Sequence, residues 1–135
     1  MATSKVTYLG NLRTKNEHLK SGDAFITDAP TDNQGKGEAF SPTDTVATGL
    51  ANCMLTTMGI KARDLGVAFE GATALVTKIM ASQPRRIAKI KIEMQLPGNI
   101  SEKHRIILEH TARTCPVEYS LHPEIERVLA FHWEQ

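Results

Sequence analysis

From Thr45 to Ile60 the chain carries no charged side chain. A surface helix pairs an apolar stripe with a charged face, so an uncharged run of this length asks to be buried on most of its sides. Its sixteen residues fall short of the roughly 20 that span a bilayer, and Asn52 and four threonines interrupt it. The expectation is therefore a helix packed inside a protein. Ser41 suits the N-cap, Pro42 the first helical position, and Asp44 can complete a capping box while placing its charge at the positive end of the helix. The helix is expected to run to about Asp64 and to stop near Gly66. Gly49 and Gly59 weaken it and leave room for another element to approach closely.

Around that helix there is material for one domain. The 135 residues suit a single compact unit with a real core. Sixteen basic residues against fifteen acidic leave the charge near zero. Nothing in that balance recruits nucleic acid or an anionic membrane, and a small molecule or a protein is the expected partner. The segment Met1–Val6 lacks a basic stretch followed by an apolar run, so a cytoplasmic home is expected. In that reducing compartment, two cysteines are thiols or a transient, catalytic pair rather than a permanent staple.

The remaining segments read as strands and helices in a mixed order. Residues 3–19 and 24–27 are short strands punctuated by Gly10 and Ser21-Gly22-Asp23. Asp28 to Glu38 has almost nothing apolar to bury and is expected to be a surface loop or the cover of a site. Ala88, Ile90, Ile92, Met94 and Leu96 alternate with Lys89, Lys91, Glu93 and Gln95, the signature of a strand with one wet face. Residues 72–81 precede it as a hairpin partner across Gln83-Pro84-Arg85. Pro97-Gly98-Asn99 breaks the strand, Ser101 caps a second helix to about Arg113, and Val128–Trp133 is a closing strand. Strands, helix, hairpin, helices and a final strand together indicate an α+β fold.

Cys53 lies in the uncharged run and Cys115 in Thr114-Cys115-Pro116-Val117. Packing alone would explain a buried cysteine such as Cys53. A cysteine followed by proline can begin a helix, whose positive end lowers a thiol pKa, and this marks Cys115 as a redox thiol. Metal binding has little support: His18, His104, His110, His122 and His132 are scattered, without paired-cysteine spacing. A cysteine hydrolase using Cys53 with His18 or His122 stays open. There is no phosphate-binding glycine loop, and Arg85–Lys91 reads as the solvated face of a strand.

The run Gly35-Lys36-Gly37-Glu38-Ala39-Phe40-Ser41-Pro42-Thr43-Asp44-Thr45-Val46-Ala47-Thr48-Gly49-Leu50-Ala51-Asn52-Cys53-Met54, followed by Cys115-Pro116-Val117, resembles the OsmC/Ohr family of bacterial thiol peroxidases. The resemblance implies one OsmC-like domain over residues 1–135. Its fold would be α+β, with antiparallel sheets around a long central helix, built as an intertwined homodimer. By the same resemblance Cys53 is the peroxidatic thiolate, which attacks a hydroperoxide and becomes a sulfenic acid. Cys115 is the resolving cysteine that condenses with it, and a dithiol reductant reopens the disulfide. No cofactor is implied, because sulfur carries both electrons.

The family's thiolate-stabilising arginine matches Arg13, for which a solvated strand arginine is the plain alternative. Organic hydroperoxide members place a glutamate ten positions before the first cysteine, where this chain has Thr43. Asp44 beside it is rotated about 180° from Cys53 on an ideal helix, which leaves it a capping role. Glu38 and Glu17 are the other carboxylates considered for orienting Arg13. A small apolar-ligand binding protein on the same scaffold, needing neither a reactive thiol nor a disulfide, is the competing functional class.

Overall fold

The computed structural model describes all residues, Met1–Gln135. They form two compact units, Met1–Val46 and Ala47–Gln135.

The first unit is a meander of β1 (Ser4–Gly10), β2 (Arg13–His18) and β3 (Ala24–Asp28), antiparallel in the order β1-β2-β3. Gly10, Asn11 and Leu12 all take left-handed φ, between 54° and 85°, which lets the first hairpin turn. Register follows from the second hairpin, which pairs Asn16 with Phe25 and Arg13 with Asp28. One face collects Val6, Tyr8 and Phe25, all exposed. Only Thr27 and Asp28 of the sheet are buried.

Asp28 corrects the expectation of a loop beginning there. It ends β3 and is 1% exposed. The segment after it folds back on itself: Gly35 N–H and Gly37 N–H donate to the Pro30 and Ala29 carbonyls at 2.9 and 3.1 Å, and Asp28 N–H donates to the Phe40 carbonyl at 2.9 Å. Gly35 permits this approach, since a Cβ there would lie 1.7 Å from the Ala29 carbonyl oxygen.

α1 (Pro42–Leu65) starts as expected. Ser41 N–H donates to Asp44 Oδ2 at 2.9 Å, and Asp44 N–H donates to Ser41 Oγ at 3.1 Å, a reciprocal capping box. Gly66, at φ 72°, ends it.

The second unit holds most of α1 with β4 (Thr73–Ala81), β5 (Arg86–Leu96), α2 (Glu102–Arg113), α3 (Pro116–Ser120) and β6 (Glu126–Trp133). The sheet order is β4-β5-β6. β4 and β5 form the expected antiparallel hairpin, whereas β6 runs parallel to β5 because α2 and α3 carry the chain across before it returns. Leu50, Met54 and Met58 recur every four residues on α1 and pack with Ile90, Ile92 and Met94 of β5 and Leu108 of α2. Truncating one such side chain to alanine costs about 2–5 kcal/mol. Ser101 Oγ accepts the His104 N–H at 3.2 Å and fixes the start of α2.

Burial along α1 is narrower than its sequence suggests. Its fully buried residues form one stripe, Ala47 to Ala62, while Val46 and Ile60 are exposed. The reason is geometric, because a helix lying on one sheet meets it along one face. Gly49 and Gly59 likewise meet no neighbouring atom within 4 Å, so neither marks a close approach.

Candidate functional site

Two clusters of chemistry-bearing residues are built, one in each unit.

In the second unit, α1 carries Cys53 on the shoulder of its buried stripe, beside Met54, and leaves it half-buried. Cys115 arrives from α2 and is the N-cap of α3, with Pro116 in the first helical position. It is 1% exposed. Both are free thiols, and Cys53 packs against the buried cluster that contains Cys115, near enough for its sulfur to act on the Cys115 thiol. Two residues 62 positions apart in the sequence therefore meet, because α2 returns the chain to α1.

The Cys115 thiol is pushed up from its ordinary pKa, first by burial and then by the neighbouring Cys53 sulfur. The N–H groups of Glu118 and Val117 pull the other way, and burial prevails. The sequence expectation of a depressed Cys115 pKa is thus corrected: the helix start is present, but a five-residue helix offers little field against complete burial. A thiol that keeps its proton can donate it to a neighbouring thiolate. It also confines the first encounter with a reagent to the accessible partner, Cys53.

In the first unit, Arg13 opens β2 directly across from Asp28 on β3. Its Nη2 donates to Asp28 Oδ2 at 3.5 Å, and its Nε stands 3.4 Å from Oδ1. The Glu38 carboxylate takes the same Nη2, and the Glu38 backbone N–H donates to Asp28 Oδ2 at 2.9 Å. One cation is therefore held by two carboxylates, one buried and one exposed. Asp28 is depressed below the ordinary carboxyl range, chiefly by the Glu38 N–H and then by Arg13, against the opposing effect of burial. Arg13 is raised, mainly by its hydrogen bond and charge pairing with Asp28.

Of the three carboxylates considered for Arg13, Glu38 reaches it. Glu17 pairs with Lys15 at 3.8 Å, and Asp44 closes the capping box. The residue missed was Asp28. A hairpin centred on Ser21-Gly22-Asp23 would set Asp28 opposite Asn16; the observed register sets Asp28 opposite Arg13 instead, a favourable cross-strand pair that the expected turn did not foretell. No group of three or more histidine, cysteine or acidic residues could hold a metal ion. No helix is long and apolar enough to cross a membrane.

Comparison with known proteins adds the following. The family model for OsmC-like proteins matches residues 35–128. A crystal structure from Psychrobacter arcticus 273-4, of a protein named for an osmotic stress induced and detoxification response, superposes with a TM-score of 0.94 at 54% identity, covering 98% of this chain and 96% of that one. An organic hydroperoxide resistance protein of Elizabethkingia anophelis superposes at a TM-score of 0.76 with 14% identity, covering 99% and 98%. A Legionella pneumophila protein named organic hydroperoxide resistance protein OsmC gives 0.71 at 16%, covering 98% of each chain. At such identities the last two speak for the fold. No curated protein matches the chain in sequence.

Proposed function

This chain belongs to the OsmC-like protein family, and from that premise we propose that it is a thiol-dependent hydroperoxide reductase in which Cys53 and Cys115 cycle between dithiol and disulfide. The observation that carries the reading is the pair itself: two free thiols brought to one buried cluster, one half-buried and one fully buried. Two related structures are named as organic hydroperoxide resistance proteins, which supports the choice of substrate class.

The chemistry balances without a cofactor. The Cys53 thiolate attacks the terminal oxygen of ROOH, the O–O bond breaks, and RO⁻ leaves and takes up a proton as the alcohol. Cys53 is left as a sulfenic acid. Before that step, a thiolate at Cys53 keeps Cys115 protonated through charge and a hydrogen bond. After it, the sulfenic acid is neutral and this restraint is gone, so Cys115 ionises more readily and attacks the Cys53 sulfur. The S–S bond forms and water leaves. An external dithiol restores both thiols by exchange. Arg13, by family resemblance, supplies the cation that favours the Cys53 thiolate, and Asp28 with Glu38 holds its guanidinium.

The working assembly is proposed to be a homodimer. Val6, Tyr8 and Phe25 on the first sheet and Val46 and Ile60 on α1 are apolar and exposed in the single chain. A three-stranded sheet needs a covered apolar face for stability, and a second copy is the partner the family resemblance implies.

An anaerobic titration of the reduced protein against hydrogen peroxide, an alkyl hydroperoxide and a fatty-acid hydroperoxide tests the function. Loss of two thiols per peroxide consumed, with one disulfide formed, is expected. Peroxide left untouched while both thiols persist would favour the ligand-binding class instead.

A further inference from the structure

Arg127 makes four side-chain hydrogen bonds in the second unit, and peroxide chemistry at Cys53 does not call on it. It stands near the start of β6, paired in register with Ile90 of β5. Its Nε donates to Glu118 Oε2 at 3.2 Å, and Nη2 donates to the Glu118 carbonyl at 3.3 Å. Nη1 donates to the His122 carbonyl at 3.1 Å and to the Ile125 carbonyl. The side chain is 14% exposed; three of these bonds are partly buried and the one to the His122 carbonyl lies at the surface.

What they hold is α3. A helix of five residues with none fully buried is far below the length at which a helix sustains itself. The last carbonyls of a helix have no partners within it, and Arg127 satisfies one of them, that of Glu118. Glu118 is gripped by Arg127 at its carboxylate and at its carbonyl, and the helix it belongs to begins at Cys115, whose carbonyl accepts the Tyr119 N–H at 3.3 Å. Two residues, Pro116 and Val117, separate the clamped Glu118 from Cys115.

We propose that Arg127, through Glu118, is a positioning residue for Cys115 that holds its sulfur where it can close the disulfide with Cys53. The proposal rests on the two-thiol reading above and concerns its second step alone. A planar guanidinium is required, because it serves Glu118 twice and two loop carbonyls at once, which an ammonium cannot do. Without it α3 frays, the Cys115 carbonyl loses the Tyr119 N–H that ties it to the helix, and the Cys115 sulfur loses its place.

The test separates the two steps in the full-length protein. Stopped-flow mixing with an alkyl hydroperoxide reads Cys53 sulfenic acid formation with a dimedone-type trap, and disulfide closure by mass spectrometry of quenched samples. Arg127→Ala is expected to close the disulfide about tenfold more slowly or worse, the scale on which small misplacements of reacting groups act. Its first step should stay within about twofold of the parent, because Arg127 shares no bonding partner with Cys53. Arg127→Lys should not rescue closure. Diamide, a thiol oxidant that needs no peroxide, is applied in parallel, so slow closure there carries the proposal even if the parent proves inert to hydroperoxides. Closure at the parental rate in folded Arg127→Ala would overturn the proposal, as would equal loss of both steps. Should Arg127→Ala not fold, Glu118→Ala decides: slowed closure supports the clamp, and parental closure removes it.

Discussion

The Asp28 carboxylate accepts the Glu38 backbone N–H at 2.9 Å and on the same oxygen meets Arg13 Nη2, which also donates to the Glu38 carboxylate. One buried acid thus organises both the strand arginine and the end of the loop that brings the second acid to it. The arrangement stores most of its order in Asp28, since Glu38 is exposed and free of other anchors in its side chain.

Asp28 should therefore show in the acid limb of stability. Its folded pKa lies below the ordinary carboxyl value of about 3.9, so its contribution is complete above that value and fades as pH falls through the depressed one. Thermal unfolding followed from neutral to strongly acid pH should lose less on acidification in Asp28→Asn than in the parent, from a lower starting point. An identical acid limb in the two proteins would contradict the assignment.

If Arg13 favours the Cys53 thiolate, its removal shifts the first chemical step and not the second. Arg13→Ala should slow sulfenic acid formation at neutral pH by about tenfold, because removing an opposite charge destabilises the attacking anion. Asp28→Asn should fall between. A pH–rate profile for Arg13→Ala that superposes on the parent's would take Arg13 out of the reaction.

The thiols should divide their roles by exposure. Cys53→Ser is expected to abolish peroxide consumption, whereas Cys115→Ser should complete one turnover and stop as a sulfenic acid open to further oxidation. In the reduced parent, brief alkylation near neutral pH should label Cys53 and spare Cys115, which is buried and holds its proton. Mass spectrometry of the labelled protein reads this directly, and preferential labelling of Cys115 would reverse the roles.

The capping box at Ser41 and Asp44 should be measurable as a unit. Either Ser41→Ala or Asp44→Ala should cost about 1 kcal/mol in urea unfolding. The double variant should cost less than the sum, because each residue serves the other's N–H. Strict additivity would mean that the two bonds act independently.

Sedimentation of the parent at micromolar concentration should give a dimer. Placing a charge in the exposed apolar face with Phe25→Asp should shift it toward monomer, because an unpaired carboxylate resists burial. A parent that sediments as a stable monomer would dispose of the homodimer.

The sequence by itself determined what depends on neighbours along the chain. The capped start and glycine end of α1, the alternation that makes β5 a half-buried strand, the Ser101 cap of α2 and the proline that opens α3 are all local, and each lies where its pattern placed it. The family motif spanning Cys53 and Cys115 was equally readable. Tertiary structure decided what depends on residues far apart: that β6 returns parallel to β5, that only one stripe of α1 meets the sheet, and that Asp28 is buried beneath the loop it was read as beginning. It also decided the state of Cys115. Helix geometry argued for a lowered thiol pKa, and only packing could reveal that desolvation, which acts from every side at once, outweighs two backbone donors.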